Sequence, residues 1–275
     1  MAYSRRRNNR YQEVTTKPVA LVTGATAGIG ASFARYLADR GFDLVIVARD
    51  KNRLKESAEQ WTSSFGIAVE VLTADLATNE GMKVVEDRLI DSSRPIEVLI
   101  NNAGFGINKS FLASAIEDEK ALLDVLVTAP MRFMHAVLPQ MKERGSGTII
   151  NVSSVAGWIA GGTYSAAKSY LTVLTESLHT ELRGTNIHVH ALCPGFTRTE
   201  FHQRGKMRMT GLPDFMWLES DRVVDAAWRA SQAGEVLSIP GFQYKILSSI
   251  SRFGPRPLVR RVGMNVRSRQ RHPKK

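Results

Sequence analysis

The chain has 275 residues, 43% of them hydrophobic, and a formal net charge of +11. That size suits one large domain with a single core. Cys193 is the only cysteine, which excludes an intrachain disulfide and a thiolate metal cluster and fits a reducing, cytoplasmic setting. The arginine-rich N-terminus is not followed by an apolar stretch, so we predict neither a signal peptide nor a membrane-spanning protein.

Positive charge is concentrated at the two ends of the chain. Residues 1–17 hold five Lys or Arg and one acid, and residues 252–275 hold nine and none. We therefore predict a basic N-terminal tail over 1–17, a folded domain over 18–240 and a basic C-terminal extension over 241–275. Such tails favour contact with an anionic membrane, although simply solvated ends remain the alternative. Nucleic acid is not the expected partner, because the remainder of the chain is close to neutral.

Short β-branched runs alternate with longer amphipathic stretches along the chain. Continuous apolar strands separated by helices predict a parallel sheet covered on both faces. Right-handed crossovers make this α/β fold a single doubly wound sheet, whose ligands bind at the carboxyl ends of its strands. The predicted strands are 19–23, 43–48, 68–74, 96–101, 147–153 and 186–193, and the predicted helices end near 40 and 64 and cover about 79–92, 116–143 and 163–183.

A glycine-rich turn, TGATAGIG, follows the first predicted strand and opens the first helix. Glycines in this place allow a tight turn and close approach of the backbone to a pyrophosphate, whose charge meets the N–H groups of the helix N-terminus. Because strand, turn and helix come in the required order, the segment predicts dinucleotide binding. The residues concerned are Gly24, Thr26, Ala27, Gly28, Ile29 and Gly30.

The end of the second strand predicts which dinucleotide is bound. An NAD site usually places a carboxylate there, whereas this chain has Ala48 followed by Arg49. A guanidinium suits the 2′-phosphate of NADP(H), and Arg53 is a candidate for a second contact. Two observations keep the question open: Asp50 follows directly, and Arg49 has the alternative of stacking on adenine.

Tyr164 and Lys168 lie one helical turn apart, ten residues after Ser154. If the stretch is helical, the phenol and the ammonium project from one face. A positive charge about 4 Å from the phenol is worth roughly 4 kcal/mol at an effective dielectric of about 20. That interaction would bring the pKa of the tyrosine from about 10 to around 7. The pair thus predicts a general acid for a carbonyl substrate, although a solvated surface pair has the same spacing.

Three further motifs accompany the glycine turn, Ser154 and the Tyr164–Lys168 pair: Asp75-Leu76, NNAG at 101–104 and Pro194-Gly195. With all of these in order, the chain resembles a short-chain dehydrogenase/reductase over about residues 18–240. The resemblance implies a Rossmann-type sheet of order 3-2-1-4-5-6-7, hydride transfer between a nicotinamide and a carbonyl or alcohol, and a homodimer or homotetramer. Tyr164 would be the acid/base, Lys168 would lower its pKa and bind the nicotinamide ribose, and Ser154, rather than Ser153, would hold the substrate oxygen. The remaining implied cofactor contacts are Asp75, Leu76, Asn102, Ala103, Gly104, Pro194, Gly195, Thr197 and Thr199.

The chain departs from the family pattern within the long helix that precedes the serine. Leu126 stands where the family usually has an asparagine in its proton relay. Pro130 has no N–H, so it leaves the carbonyl of Leu126 without its helical donor. That carbonyl is a candidate to hold the relay water beneath Lys168, and a kinked helix with an impaired relay is the alternative.

Residues 196–218 lie where the family places its substrate lid, and they are rich in aromatic residues and methionine. Arg204, Lys206 and Arg208 in this segment are candidates for an anionic head group. Further on, Ile246, Leu247, Ile250 and Phe253 recur at helical spacing beside the basic tail. We predict an NADPH-dependent reductase of a hydrophobic ketone or aldehyde, for example a 3-oxoacyl or steroid-like compound, with no metal. The second hypothesis is a weakly catalytic NADP-binding sensor or scaffold.

Overall fold

The computed structural model describes residues 17–201, 212–257 and 259–261, which form a seven-stranded parallel sheet with helices on both faces. The order β3-β2-β1-β4-β5-β6-β7 confirms the predicted fold class and strand order. The order reverses between β1 and β4, which opens a crevice at the carboxyl ends of the strands. The strands are β1 Val19–Thr23, β2 Asp43–Ala48, β3 Val69–Thr73, β4 Ile96–Asn101, β5 Ser146–Val152, β6 Asn186–Leu192 and β7 Leu237–Ser238.

Two apolar clusters cover the two faces of the sheet. Phe33 and Leu37 of the first helix belong to one cluster, and Phe133 and Val137 of the fifth belong to the other. Their burial explains why the strands are apolar on both sides. The helices are α1 Gly28–Asp39, α2 Lys51–Phe65, α3 Asn79–Leu89, α4 Ile116–Leu123, α5 Ala129–Arg144, α6 Thr163–Glu181, α7 Ser220–Gln232 and α8 Phe242–Phe253.

The prediction of a single helix over 116–143 is wrong in one respect, because a π-helical turn at Asp124–Thr128 separates α4 from α5. At its end the Ala129 N–H donates to the Asp124 carbonyl, five residues back. Pro130 follows at once, and since it has no N–H it cannot continue the regular α-helical ladder there. Leu126 lies in the middle of this turn, so the departure noted in the sequence coincides with an irregular backbone.

The helical stretch Ile116–Arg144 is long and apolar enough to cross a membrane, judged by length and composition alone. One such helix is weak evidence for a span. Phe133, Val137 and Met141 are buried against the sheet, so packing in the core accounts for this composition.

Candidate active site

A cleft of about 970 Å³ opens at the carboxyl ends of β1, β2, β4, β5 and β6. The fold brings nearly all of the sequence-predicted site residues to its walls. The exception is Gly30, which lies beneath the glycine turn. The predicted residues in the lining are Gly24, Thr26, Ala27, Gly28, Ile29, Arg49, Asp75, Leu76, Asn102, Ala103, Gly104, Ser154, Tyr164, Lys168, Pro194, Gly195, Thr197 and Thr199.

The glycine turn requires its glycines for two different reasons. Gly24 and Gly28 have φ of +67° and +54°, a conformation that side chains disfavour. A Cβ on Gly30 would lie 2.2 Å from the Gly24 carbonyl oxygen, so any side chain there would push α1 away from the turn. The Asn102 amide donates to the Thr23 carbonyl at 2.9 Å and joins the turn to β4. The result is a rigid cradle of backbone N–H groups at the N-terminus of α1, which fits a pyrophosphate.

Three polar residues just beyond the end of β2, Arg49, Asp50 and Arg53, have distinct surroundings. Asp50 caps α2, since its carboxylate accepts from the N–H groups of Asn52 and Arg53, both at 3.1 Å. The Arg53 guanidinium forms a two-point ion pair with Glu200 at 3.1 and 2.9 Å. The expectation that Arg53 helps to bind a phosphate is therefore not supported in this arrangement. Arg49 lines the cleft and makes no ion pair with any residue that the structure describes.

The two adjacent serines at the end of β5 face different surroundings. Ser153 is buried, and its hydroxyl donates to the Lys168 carbonyl at 2.8 Å and lies 2.7 Å from the Thr172 hydroxyl. Ser154 lines the cleft near the Tyr164 phenol, and its hydroxyl accepts from the Ala156 N–H at 3.1 Å. Ser153 thus fastens β5 to α6, whereas Ser154 presents its hydroxyl beside the phenol.

Tyr164 and Lys168 lie on the first turns of α6 and both line the cleft. The loss of hydration raises the pKa of Tyr164 to about 12, against a smaller lowering by Ser154. Burial likewise lowers the pKa of Lys168 to about 8. The expected fall of the tyrosine pKa to around 7 is wrong for this structure, because desolvation raises that pKa and the smaller opposing effect comes from Ser154. Lys168 instead donates to the Val152 carbonyl at 2.6 Å, and its ammonium lies 5.8 Å from the centre of the phenol ring.

Beneath Lys168 lies a second, much smaller cavity of about 10 Å³, room for the centre of one water molecule. Leu126 and Pro130 line it from the π-helical turn, and Asn101 lines it from the end of β4. The side-chain oxygen of Asn101 is buried and has no hydrogen-bond partner in the described part of the chain. Sequence reasoning assigned Asn101 no role, although it begins the NNAG motif.

The orientation of the Asn101 amide follows from a chain of buried hydrogen bonds. Thr175 donates to the Leu171 carbonyl at 2.6 Å and so accepts from the Asn151 amide at 2.9 Å. The Asn151 oxygen then accepts from the Asn101 amide at 2.8 Å. This order of donors and acceptors turns the Asn101 amide nitrogen towards Asn151 and leaves the Asn101 oxygen as an unpaired acceptor at a cavity shared with Lys168.

The predicted lid is described only at its two ends, and Arg204, Lys206 and Arg208 lie outside the described residues. Phe196, Phe201, Leu212 and Met216 line the cleft, and the Phe201 ring lies 5.9 Å from the Tyr164 ring. The described ends of this segment therefore bring apolar side chains close to the phenol.

Tyr244 of α8 holds both ends of this segment in place. Its hydroxyl accepts from the Phe196 N–H at 3.0 Å and donates to the Met216 carbonyl at 2.6 Å. The ring also covers Gly195, where a Cβ would lie 2.1 Å from the ring carbon at the hydroxyl. The start of the C-terminal extension is therefore part of the cleft, a connection that periodicity in the sequence does not reveal.

The remaining candidate nucleophiles and metal ligands have structural surroundings. The ring nitrogens of His190 lie 2.7 Å from the Glu235 carbonyl and 2.7 Å from the Ser238 hydroxyl, between β6 and β7. Cys193 is buried, and burial raises its pKa to about 11, which disfavours the reactive thiolate. Among the described residues, no three His, Cys, Asp or Glu side chains are grouped as metal ligands would be.

A family model for short chain dehydrogenases matches residues 18–208. Among related sequences, sulfoacetaldehyde reductase 2 of Chromohalobacter salexigens is 34% identical over 188 residues, which cover 66% of this chain and 74% of that protein.

Two solved structures are similar over almost the whole chain. A short-chain dehydrogenase from Sphingobium yanoikuyae in complex with NADPH is 34% identical, with a TM-score of 0.78 over 94% of this chain and 98% of that one. A bulky-bulky ketone specific alcohol dehydrogenase from Comamonas testosteroni is 31% identical, with a TM-score of 0.75 over the same shares of the two chains.

Proposed function

The chain belongs to the short-chain dehydrogenase family and is an oxidoreductase of that type. From this premise and the geometry of the cleft, we propose that it is an NADPH-dependent reductase of a hydrophobic ketone or aldehyde. The observation that carries the proposal is the convergence of Ser154, Tyr164 and Lys168 on an apolar cleft that begins at the glycine turn. The residues present fit the cofactor, because the turn leaves no room for side chains where a pyrophosphate approaches and Arg49 is open to a 2′-phosphate.

The three side chains divide the work of proton transfer. NADPH, when bound, supplies the hydride that adds to the carbonyl carbon. The Ser154 hydroxyl donates a hydrogen bond to the carbonyl oxygen, and Tyr164 transfers its proton to that oxygen as negative charge develops there. A phenol with a pKa of about 12 keeps its proton at neutral pH and still protonates an alkoxide. The Lys168 ammonium stabilises the phenolate left behind and binds the ribose hydroxyls.

The cleft wall supports an apolar substrate. Ile107, Ile159, Phe196, Phe201 and Leu247 line its substrate end, and among the residues that the structure describes few charged groups lie there. Such a wall suits a bulky ketone, a steroid-like ketone or a 3-oxoacyl chain better than a small anion. The relative that reduces sulfoacetaldehyde indicates that family membership alone does not set the substrate.

We propose further that one water molecule in the small cavity completes the proton relay. Lys168 would donate to it, and the water would donate to the Asn101 side-chain oxygen and to the Leu126 carbonyl. The supporting observations are the unpaired Asn101 oxygen, the volume of the cavity and the missing N–H of Pro130. In this arrangement Asn101 is a positioning residue, and the usual asparagine side chain is not needed at position 126.

The proposed relay predicts different effects for substitutions in the π-helical turn, at Leu126 and Pro130, and at Asn101. Leu126→Asn should change turnover little, while Pro130→Ala should lower it, because the restored N–H can capture the Leu126 carbonyl. Asn101→Ala should lower kcat by about tenfold and move its pH profile, since one acceptor of a charge-assisted chain is lost. The profile of kcat against pH is the measurement, because a purely structural role would not move it.

Thr180→Val is the matched control for the relay. The Thr180 hydroxyl, like that of Thr175, donates to a carbonyl one turn earlier on α6, but it is exposed and lies outside the buried chain, so its loss should leave the pH profile in place. A high-resolution map should show the water within about 3 Å of the Lys168 ammonium. A dry cavity, together with a tenfold rise in turnover for Leu126→Asn, would mean that the relay is broken in this protein.

The preference for NADPH over NADH rests on Arg49. We expect NADPH to bind more tightly, and Arg49→Ala to remove most of that difference, because a charged hydrogen bond is worth roughly 1.5 to 3 kcal/mol. Arg53→Ala is the control, since its guanidinium is paired with Glu200 and should contribute little. Dissociation constants for both cofactors provide the measurement, and equal values for the unmodified protein would contradict the preference.

A cofactor-bound sensor or scaffold with little turnover remains the second candidate, favoured by Leu126 at the relay position.

We also propose that the protein forms a homodimer or homotetramer. Apolar side chains exposed on the outer faces of α5 and α6, at Met131, Tyr170 and Val173, support this. We propose a cytoplasmic location with peripheral membrane contact.

The turnover of NADPH with a panel of carbonyl compounds separates the reductase from the sensor or scaffold.

A further inference from the structure

The outer face of α8 is apolar, the reverse of the pattern expected for a surface helix. Four side chains separated by four, four and three residues form a row along it, which we call the α8 ridge: Phe242, Ile246, Ile250 and Phe253. Their exposed fractions are 76%, 46%, 55% and 84%. Phe215, 71% exposed, lies near the start of the ridge, where its carbonyl accepts from the Gln243 amide at 2.9 Å. So much contiguous exposed aromatic and branched surface indicates an interaction site.

The inner face of the same helix forms a wall of the cleft. Tyr244 and Ser248 are buried, and Leu247, Ser248 and Ser251 line the cleft. One helix therefore separates the substrate end of the cleft from the ridge. Whatever binds the ridge comes to lie one helix diameter from the substrate, about 10 Å.

The charges on α8 and on the residues that follow it are all positive, and one of them, Arg252, lies 3.8 Å from the Glu176 carboxylate of α6. Lys245, Arg252, Arg256, Arg260 and Arg261 are exposed on α8 and just beyond it. From residue 242 to residue 275 the sequence has ten Lys and Arg and no Asp or Glu. The Arg252 guanidinium lies 5.9 Å from the centre of the Phe253 ring, which places a cation beside an aromatic side chain at the end of the ridge.

We propose that the α8 ridge is a docking surface for an anionic membrane. An amphipathic helix with aromatic and aliphatic side chains on one face and basic residues beside them lies in the plane of the interface, its apolar face at the boundary between headgroups and acyl chains. A second copy of the chain fits less well. A symmetric pairing of two ridges would bring basic residues of one copy against those of the other, whereas anionic lipid neutralises them.

Docking through the ridge would place the wall of the cleft at the membrane surface. A hydrophobic carbonyl compound dissolved in the bilayer would then reach the cleft without crossing water. This consequence rests on the proposed reductase function, but the docking itself does not depend on it.

The test is sedimentation of the full chain with vesicles of phosphatidylcholine alone and with about 30% phosphatidylserine, at low and high salt. We expect the phosphatidylserine vesicles to recruit the protein at low salt. Ile246→Asp with Ile250→Asp should weaken this recruitment by about tenfold or more, and Lys245→Glu with Arg256→Glu should abolish the preference for anionic vesicles. Val84→Asp, at a 45% exposed apolar residue of α3, is the control and should leave recruitment unchanged.

NADPH binding is measured on every variant as a readout of folding, because Ile246 and Ile250 do not line the cleft. Three results would overturn the proposal: equal sedimentation of the ridge variant and the unmodified protein, conversion of an oligomer to a monomer by the ridge variant without loss of vesicle binding, or preferential binding of duplex DNA that the ridge substitutions leave intact. None of these measurements uses a carbonyl substrate. A failed reductase assay and a failed docking assay are thus distinguishable.

Discussion

Tyr164→Phe is expected to reduce carbonyl reduction by about 10²- to 10⁴-fold, the usual contribution of a general acid. The change removes only the hydroxyl that meets the substrate oxygen, and the ring keeps its packing beside Phe201. NADPH affinity should therefore stay nearly unchanged. Steady-state turnover and a fluorescence titration with NADPH measure the two quantities separately.

Tyr170→Phe is the matched control for this result. Tyr170 lies on the same helix, is 40% exposed, and its hydroxyl contacts only the Met131 sulfur among the described residues. The substitution should leave both turnover and binding intact. Substantial reductase activity in Tyr164→Phe with a true substrate would mean that another group is the acid.

Lys168→Ala is expected to damage turnover and NADPH binding together. The ammonium is assigned to both the phenolate and the ribose, and losing a charged hydrogen bond costs roughly 1.5 to 3 kcal/mol, at least about tenfold in affinity. The Val152 carbonyl also loses its buried donor, so thermal stability should fall. Turnover, the NADPH dissociation constant and the melting temperature test the three effects.

The lowered pKa of Lys168 adds a prediction about pH. The ammonium is charged below its pKa of about 8, and it is this charged form that stabilises the phenolate. The rate of reduction should therefore fall as the pH rises through about 8. In Lys168→Arg any remaining activity should lose this fall, because a guanidinium keeps its charge to a pH above about 12. A rate that does not change between about pH 7 and pH 10 would contradict the role of the ammonium.

The strands and the site motifs were predictable because each depends on a local pattern. β1 and β2 begin and end as predicted, since each is a continuous apolar run with a polar or glycine residue close beyond its end. The glycine turn and the Tyr164 helix have fixed spacings that survive in the structure. Parallel topology then brings these separate segments to one edge of the sheet.

The features that sequence reasoning missed depend on contacts between distant segments. Nothing near Arg53 in the sequence indicates its ion pair with Glu200. Tyr244 reaches back to Gly195, and periodicity within α8 cannot show which of its faces is inside. The predicted pKa of Tyr164 was wrong because a Coulomb energy between Tyr164 and Lys168 leaves out the desolvation of both side chains. The π-helical turn did have a signal, Pro130, but apolar residues surround it and hide the change of register.

The most direct test of hydride transfer in this cleft uses NADPH that carries deuterium at the reactive carbon of its nicotinamide. The protein is incubated with a panel of bulky ketones, steroid-like ketones, 3-oxoacyl thioesters and long-chain aldehydes, and the alcohols are analysed by mass spectrometry. We expect at least one substrate to gain a single deuterium on its carbinol carbon, and Tyr164→Phe to abolish that product. Tight NADPH binding with no deuterium transferred to any carbonyl in the panel would contradict the reductase function and favour the cofactor-bound sensor.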